Sequence, residues 1–227
     1  MEKIELFSAR VCPFAHRSRL ALMEKNFPFT LIDIDLRNKP DWYLEISPAG
    51  AVPALRQGGF VLRESLIINE YVNECCTEPP LLPSNVQQRA EARLWIDYAS
   101  TSFVPLFYRL LKAQQKEERD AVEAKLCQVL TLLNDELKKR KGAGSYWFGW
   151  QLGLTDISFY PWFERWSVLE HYRDLRIPDH LNALLGWIET MQQRDAVGMG
   201  SEPAAYYVEQ YADYAAGRNK ARGGSGR

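Results

Sequence analysis

The hydrophobic rhythm of the chain changes about a third of the way along. Over the first eighty residues short apolar runs alternate with helical stretches. The pattern predicts a strand at about residues 3 to 8, a helix from Pro13 to about Lys25, and a β-rich run from Phe29 to Ile34. A short helix from Asp41 to Ile46 follows, then Val52-Pro53-Ala54-Leu55, a Gly58-Gly59 turn that joins two short apolar runs as a hairpin, and a helix from about Glu64 to Cys75. The order is β-α-β-α-β-β-α, and the helical crossovers between the earlier strands make the sheet mixed. The stretch from Thr77 to Asn85 holds Pro79, Pro80 and Pro83, which withhold backbone donors and restrict the residues before them, so no helix crosses it.

Beyond that boundary the period becomes helical. Val122, Leu126, Val129, Leu130, Leu133 and Leu137 share one helical face, as do Leu181, Leu184, Leu185, Ile188 and Met191. Helices are expected near residues 87 to 113, 117 to 139, 154 to 170, 179 to 193 and 202 to 215. The predicted fold class is therefore an α/β domain over residues 1–78, a linker at 79–86 and an all-α domain over 87–217, with a basic disordered tail at 218–227.

Composition narrows the function. Apolar residues make up 46% and charged residues 25%, ordinary globular usage that argues against a disordered or membrane-spanning chain. A formal net charge of -1 offers no electrostatic footprint for nucleic acid or an anionic membrane, so neither is an expected partner. The start of the chain runs straight into a strand pattern with no leader signature, which makes the cytoplasm the expected location. Cys12, Cys75, Cys76 and Cys127 have no regular spacing and are read as reduced thiols, and adjacency makes a Cys75–Cys76 bridge strained. His16, His171 and His180 stand too far apart in sequence for a local metal-ligand pattern, so no metal is expected.

The chemistry gathers at Cys12. In Ser8-Ala9-Arg10-Val11-Cys12-Pro13-Phe14-Ala15-His16-Arg17 the cysteine stands between a strand and a helix whose first residue is proline, whose missing N–H would be unpaired there anyway. Cys12 thus takes the cap position, where the helix's unpaired amides and partial positive charge stabilise a thiolate, with Arg10, Arg17 and Arg19 adding positive charge nearby. His16, one turn on, is a further candidate neighbour of the sulfur. Ala15 occupies the place where a dithiol enzyme would carry its resolving cysteine, so a separate thiol must resolve a mixed disulfide, and glutathione is the natural candidate.

These residues resemble the cytosolic glutathione transferases. Cys12-Pro13-Phe14-Ala15 with Arg17 resembles the omega class, with the lambda and dehydroascorbate-reductase classes close to it. The likeness continues through Asp35-Leu36-Arg37-Asn38-Lys39-Pro40-Asp41-Trp42, Ser47-Pro48-Ala49-Gly50-Ala51-Val52-Pro53-Ala54-Leu55, Arg63-Glu64-Ser65, Asp156 and Pro161 to Trp166, covering both domains. It implies a thioredoxin-like first domain, with Cys12 as the catalytic residue and Phe14, Lys39, Val52, Pro53, Glu64 and Ser65 as the glutathione site. By that resemblance Pro53 is a cis-proline that lets Val52 pair through its backbone with the cysteinyl part of glutathione. Ser65, the helix amides and Glu64 would hold the γ-glutamyl end, and Lys39 the glycine carboxylate.

Two departures stand out: Ala51 replaces a polar or basic side chain found in several other classes, and Gly153 replaces the Ser or Thr three residues before Asp156, which is expected to be structural. The aromatic residues of the second domain are expected to be mostly core, with Tyr98, Phe107, Trp166, Tyr206 and Tyr207 as candidates for an acceptor pocket. Lys138-Lys139-Arg140-Lys141 reads as a solvated helix end.

The expected activity is glutathione-dependent thiol transfer or reduction through a Cys12–glutathione mixed disulfide, including reductive deglutathionylation or dehydroascorbate reduction. The second substrate would be hydrophobic, disulfide or electrophilic. Conjugation through an activating hydroxyl fits less well, because Ser8 lies in the strand and not at the cap. The alternative is a non-catalytic interaction or regulatory module on the same fold. The resemblance further implies a homodimer.

Overall fold

The computed structural model describes residues 2–75, 78–140 and 144–218, so Cys76, Lys141 and the tail from residue 219 lie outside the described residues. The chain divides into two compact units between Pro80 and Leu81.

In the first unit the strands are β1 (Ile4–Ser8), β2 (Phe29–Asp33), β3 (Ala54–Gln57) and β4 (Phe60–Arg63), and the helices are α1 (Pro13–Glu24), α2 (Asp41–Ile46) and α3 (Ser65–Cys75). The sheet order is β2-β1-β3-β4. β1 pairs in parallel with β2, as a helical crossover requires, while β1–β3 and β3–β4 are antiparallel. This is the mixed sheet the alternation predicts, with Gly58 at φ +58 in the hairpin turn. Because side chains alternate across a strand, Ile4 and Leu6 face one way and Phe7 the other, all fully buried. α1 and α3 pack on each other and touch β1, β3 and β4. α2 covers Phe7, with Trp42 and Tyr43 rings at 6.0 and 5.6 Å from it.

The second unit is helical throughout its regular structure. α4 (Val86–Tyr98) runs through a π-helical turn, Ala99–Phe103, into α5 (Val104–Lys112); the Val104 N–H reaches the carbonyl of Ala99, five residues back. The continuous helix expected near 87 to 113 is therefore interrupted. α6 (Lys116–Lys139) follows, then α7 (Leu154–Glu164) and α8 (Ser167–Arg173), which break the stretch expected at 154 to 170. The chain finishes in α9 (Asn182–Gln192), α10 (Asp195–Gly200), α11 (Ala204–Gln210) and α12 (Ala212–Ala215). α9 lacks a capping side chain of its own; buried Asn134 from α6 accepts from the N–H groups of Ala183 and Leu184 at 3.1 and 3.3 Å and does the capping.

Asp156 is structural, as expected. Fully buried in the first turn of α7, it accepts from Gly153 N (2.9 Å), Trp147 N (3.1 Å) and Trp187 Nε1 (2.7 Å). Burial pushes its carboxyl up to about 6, opposed by the donors of Trp187, Gly153 and Trp147. Gly153 has no Cβ where the Leu81 carbonyl approaches to accept from Leu154 N at 2.7 Å. At the end of α6, exposed Lys138 and Lys139 pair with Asp135 and Glu136, as a solvated helix end would, whereas Arg140 is drawn in over the Phe148 ring to bond Glu91 of α4, and Lys141 lies outside the described residues. None of the described helices is long and apolar enough to cross a membrane.

Candidate active site

The first unit brings its chemistry to one end of the sheet. The chain leaves β1 at Ser8 and turns, with Cys12 N donating to Ala9 O at 3.0 Å, and Cys12 then caps α1 in an extended conformation. Two features of the sequence enforce this: Pro13 supplies a helical φ without a wasted donor, and the Cys12 carbonyl accepts the first intrahelical bond from His16 N at 3.0 Å. Sγ accepts from Ala15 N at 3.5 Å, so the sulfur sits in the place of an N-cap oxygen, at the positive end of the helix. As a thiol it also donates to the Val52 carbonyl at 3.6 Å, a long contact that ionisation would give up.

Arg19, buried, donates to Ser8 Oγ (2.9 Å) and to the same Ala9 carbonyl that accepts from Cys12 (3.1 Å), tying the turn down and placing a cation beneath it. Ser8 thus lies in the strand, engaged by Arg19. Arg17, also buried, stands 5.5 Å from the centroid of the Phe14 ring, which is half-exposed. The imidazole of His16 is fully buried.

Sheet register brings the other predicted residues to the same edge. Phe7 pairs with Ala54, and Ala54 with Arg63, so the entry to β3 after Pro53 lies beside both the turn to Cys12 and the exit to Glu64 and Ser65. The Val52–Pro53 peptide bond is cis. Glu64, at φ +69, is exposed and gives its carbonyl to Ile68 N at 2.9 Å, while Ser65 is the buried first residue of α3. Lys39 lies along Gly50: a Cβ there would come within 2.8 Å of both Cδ and Nζ, and φ is +61. Glycine at position 50 therefore serves both the turn and the lysine's approach.

Sequence reasoning missed Tyr43 and Ser47. Tyr43 lies in α2 and was visible only as part of a helix, yet its hydroxyl donates to the Ala51 carbonyl at 2.6 Å, and Ser47 Oγ donates to the same oxygen at 3.0 Å. Burial lifts the Tyr43 phenol to about 12, a bond with Ser47 lowers it somewhat, and the charge of a nearby Cys12 thiolate raises it again. A tyrosine on the buried face of a six-residue helix, four residues before a serine, was the available signal.

The acceptor-pocket candidates do not share one surface. Phe107 and Trp166 are packed edge-to-face at 6.1 Å in the core of the second unit, and Trp166 Nε1 donates to Leu175 O at 3.0 Å. Tyr207 is fully buried, its hydroxyl donating to Glu164 at 3.0 Å under the guanidinium of Arg165. These three are corrected to packing residues: their faces meet other aromatic or charged groups instead of solvent. Tyr206 and Tyr98 are partly exposed, and Tyr98 lines a groove of about 500 Å³ with Ser102, Leu106, Arg109, Lys125 and Leu132.

Comparison with known proteins agrees with this geometry. The glutathione S-transferase N-terminal domain family matches residues 11–75, and the glutathione S-transferase C-terminal domain family matches residues 116–190. Glutathione S-transferase omega-1 of Rattus norvegicus is 31% identical over 193 residues, covering 84% of this chain and 77% of that protein. Pyrimidodiazepine synthase of Drosophila melanogaster is 33% identical, covering 91% of this chain and 81% of its own. The crystal structure of glutathione transferase Omega 3C from Trametes versicolor superposes with a TM-score of 0.84 at 29% identity, over 94% of this chain and 91% of that one. With a cysteine-capped helix, a thioredoxin-like first unit, a helical second unit and relatives matching along most of its length, the chain belongs to the cytosolic glutathione transferase superfamily, on its omega-like side.

Proposed function

We propose that this glutathione-dependent enzyme works through Cys12 as a thiol transferase or reductase. The observation that carries the reading is the sulfur at the cap of α1, bonded by Ala15 N–H, with the cation of Arg19 behind its turn. A negative sulfur gains there from both the helix end and the charge. The Cys12 thiolate attacks the glutathionyl sulfur of a mixed disulfide; the S–S bond breaks, the substrate leaves as its thiol after taking a proton from solvent, and Cys12 is left joined to glutathione. The thiolate of a second glutathione then attacks that disulfide, releasing glutathione disulfide and the Cys12 thiolate. Ala15 offers no resolving thiol, which is why the second glutathione is needed.

In this reading the Val52 backbone pairs with the cysteinyl portion of glutathione, and Lys39 meets the glycine carboxylate. Ser65, the first amides of α3 and Glu64 receive the γ-glutamyl end, and Phe14 walls the sulfur. Reductive removal of glutathione from a conjugate and reduction of dehydroascorbate use the same thiolate. The working form is a cytoplasmic homodimer, which light scattering of the purified chain tests directly.

The central test is the exchange of Cys12 for alanine, read by mass spectrometry and by reduction of 2-hydroxyethyl disulfide with glutathione. The unaltered protein should gain one glutathionyl group at Cys12 on treatment with glutathione disulfide and lose it to added glutathione, and Cys12→Ala should abolish turnover. Unchanged turnover in that variant would refute the mechanism, and failure of the unaltered protein to form the adduct would favour a non-catalytic module.

A further inference from the structure

The Ala51 carbonyl is an unusual loop acceptor. Ala51 itself is exposed, so its oxygen could have been left to water, yet two fully buried hydroxyls converge on it, Tyr43 at 2.6 Å and Ser47 at 3.0 Å. Both donors are also held by contacts other than the Ala51 carbonyl. The Tyr43 ring packs against Phe7 and Trp42 beneath the sheet, and Ser47 closes α2, its N–H donating to Tyr43 O at 2.8 Å.

A peptide unit is planar, and in the trans form its C=O and N–H point in opposite directions. Among the described residues the cis bonds are Val52–Pro53 and Glu78–Pro79, so the Ala51–Val52 peptide is trans. Holding the Ala51 oxygen down onto α2 therefore turns the Val52 N–H away from α2. No described residue accepts from that N–H. The next carbonyl, that of Val52, meets Cys12 Sγ at 3.6 Å, so the peptide in question is adjacent to the reactive sulfur.

We infer that Tyr43 and Ser47 are positioning residues that lock the Ala51–Val52 peptide so that the Val52 N–H is presented, already oriented, to the backbone carbonyl of a peptide-like thiol substrate. The inference rests on the glutathione reading of this site, in which the Val52 backbone pairs with the ligand, and adds to it the two hydroxyls that fix the orientation of that peptide. A rotation of this peptide would strip two buried hydroxyls of their acceptor, so the orientation is held before ligand arrives, and binding is spared the cost of ordering it. Burial keeps the Tyr43 phenol protonated through neutral and mildly alkaline pH, so its donor role is constant across the range in which a thiolate works.

The test uses the full chain with Y43F, S47A and the double variant. S-methylglutathione, which carries the peptide groups but no reactive thiol, is titrated calorimetrically. Alkylation of Cys12 by iodoacetamide is followed by mass spectrometry on the same samples. The double variant should bind S-methylglutathione about tenfold more weakly, each single variant a few-fold more weakly, with S47T restoring the S47A loss and Cys12 alkylation unchanged throughout. Unaltered affinity in the double variant, while the natural chain binds, overturns the positioning role and leaves the glutathione site standing. Parallel loss of affinity and alkylation overturns it too, since that would mark general loosening. If the natural chain does not bind S-methylglutathione, the glutathione reading fails and this inference with it. Should the double variant not fold, Y43F alone decides, because it keeps the ring and its packing; unchanged affinity there counts against the inference.

Discussion

Arg173 holds the C-terminal segment of the second unit by an unusual concentration of backbone contacts, and replacing it with methionine should cost a predictable amount. Its guanidinium donates to Leu110 O (3.0 Å), to Leu111 O, to Ala215 O (2.7 Å) and, locally, to Tyr172 O (2.7 Å). The first two lie in the last turn of α5, where Leu110 O also accepts from Ala113 N at 3.3 Å, and the third belongs to α12. Three bonds thus reach other elements, and at about 1 kcal/mol each they sum to about 3 kcal/mol.

Two facts trim that figure. Gln114 Nε2 also reaches Ala215 O at 2.9 Å and survives the change. Burial, with the charge of Arg119, already pulls the Arg173 pKa down, so removing the cation recovers part of the cost. A loss of about 2 kcal/mol remains, which in a protein of this size lowers the thermal midpoint by about 4–8 °C. Differential scanning calorimetry measures it, and hydrogen exchange localises it: protection should fall at Ala212–Ala215 and at the last turn of α5, with the first unit unaffected. A midpoint within about 1 °C of the natural chain, or loss of protection spread evenly over both units, would refute the reasoning.

Other consequences are equally open to measurement. Since Asp156 is raised from 3.8 to about 6, its protonated form favours the native state; that contribution is complete below about pH 4 and is lost as pH rises through 6, a change of about 3 kcal/mol. Urea midpoints of the natural chain and D156N, which cannot titrate at this position, should therefore shift against each other between pH 4 and 7, and a constant difference contradicts the assignment. G153S, ordinarily a neutral or slightly helpful cap change, should here destabilise by about 1 kcal/mol, because its Cβ would stand 3.1 Å from the Leu81 oxygen that receives the Leu154 N–H. A raised urea midpoint for that variant would show that Leu81 can move aside.

The first unit was largely legible because each of its signals is local. Pro13 after Cys12, the Gly58-Gly59 turn and the Asp41–Ile46 helix all depend on a few neighbouring residues, and the mixed sheet follows from connection lengths. The second unit yielded its helical character but not its breaks. A 3.6 period is too coarse to register the π-helical turn at Ala99–Phe103, or the end of α7 at Glu164, since helix resumes at Val104 and Ser167 within a few residues of each.

The aromatic candidates show a different limit. Composition said that some aromatic rings would be core, but whether Tyr207 meets a ligand or Glu164 depends on a contact 43 residues away in sequence. The same holds for Tyr43 and Asn134. Each looked like an ordinary helix residue, and each acts by giving or receiving a hydrogen bond at a backbone group on another element, information that no local pattern carries.

The π-helical turn also bears on how this segment tolerates change. One additional residue within a regular α-helix would turn everything after it by about 100° around the axis, but the wider π-helical turn takes up that residue, so α5 keeps its face. Deleting a single position between Ala99 and Phe103 would restore uninterrupted α geometry while leaving Phe107, Leu110 and Leu111, all wholly interior, on their inward face. Here a gap of one amino acid narrows a single turn, and a homologue that lacks the extra residue can keep its apolar side chains in the same phase on both sides.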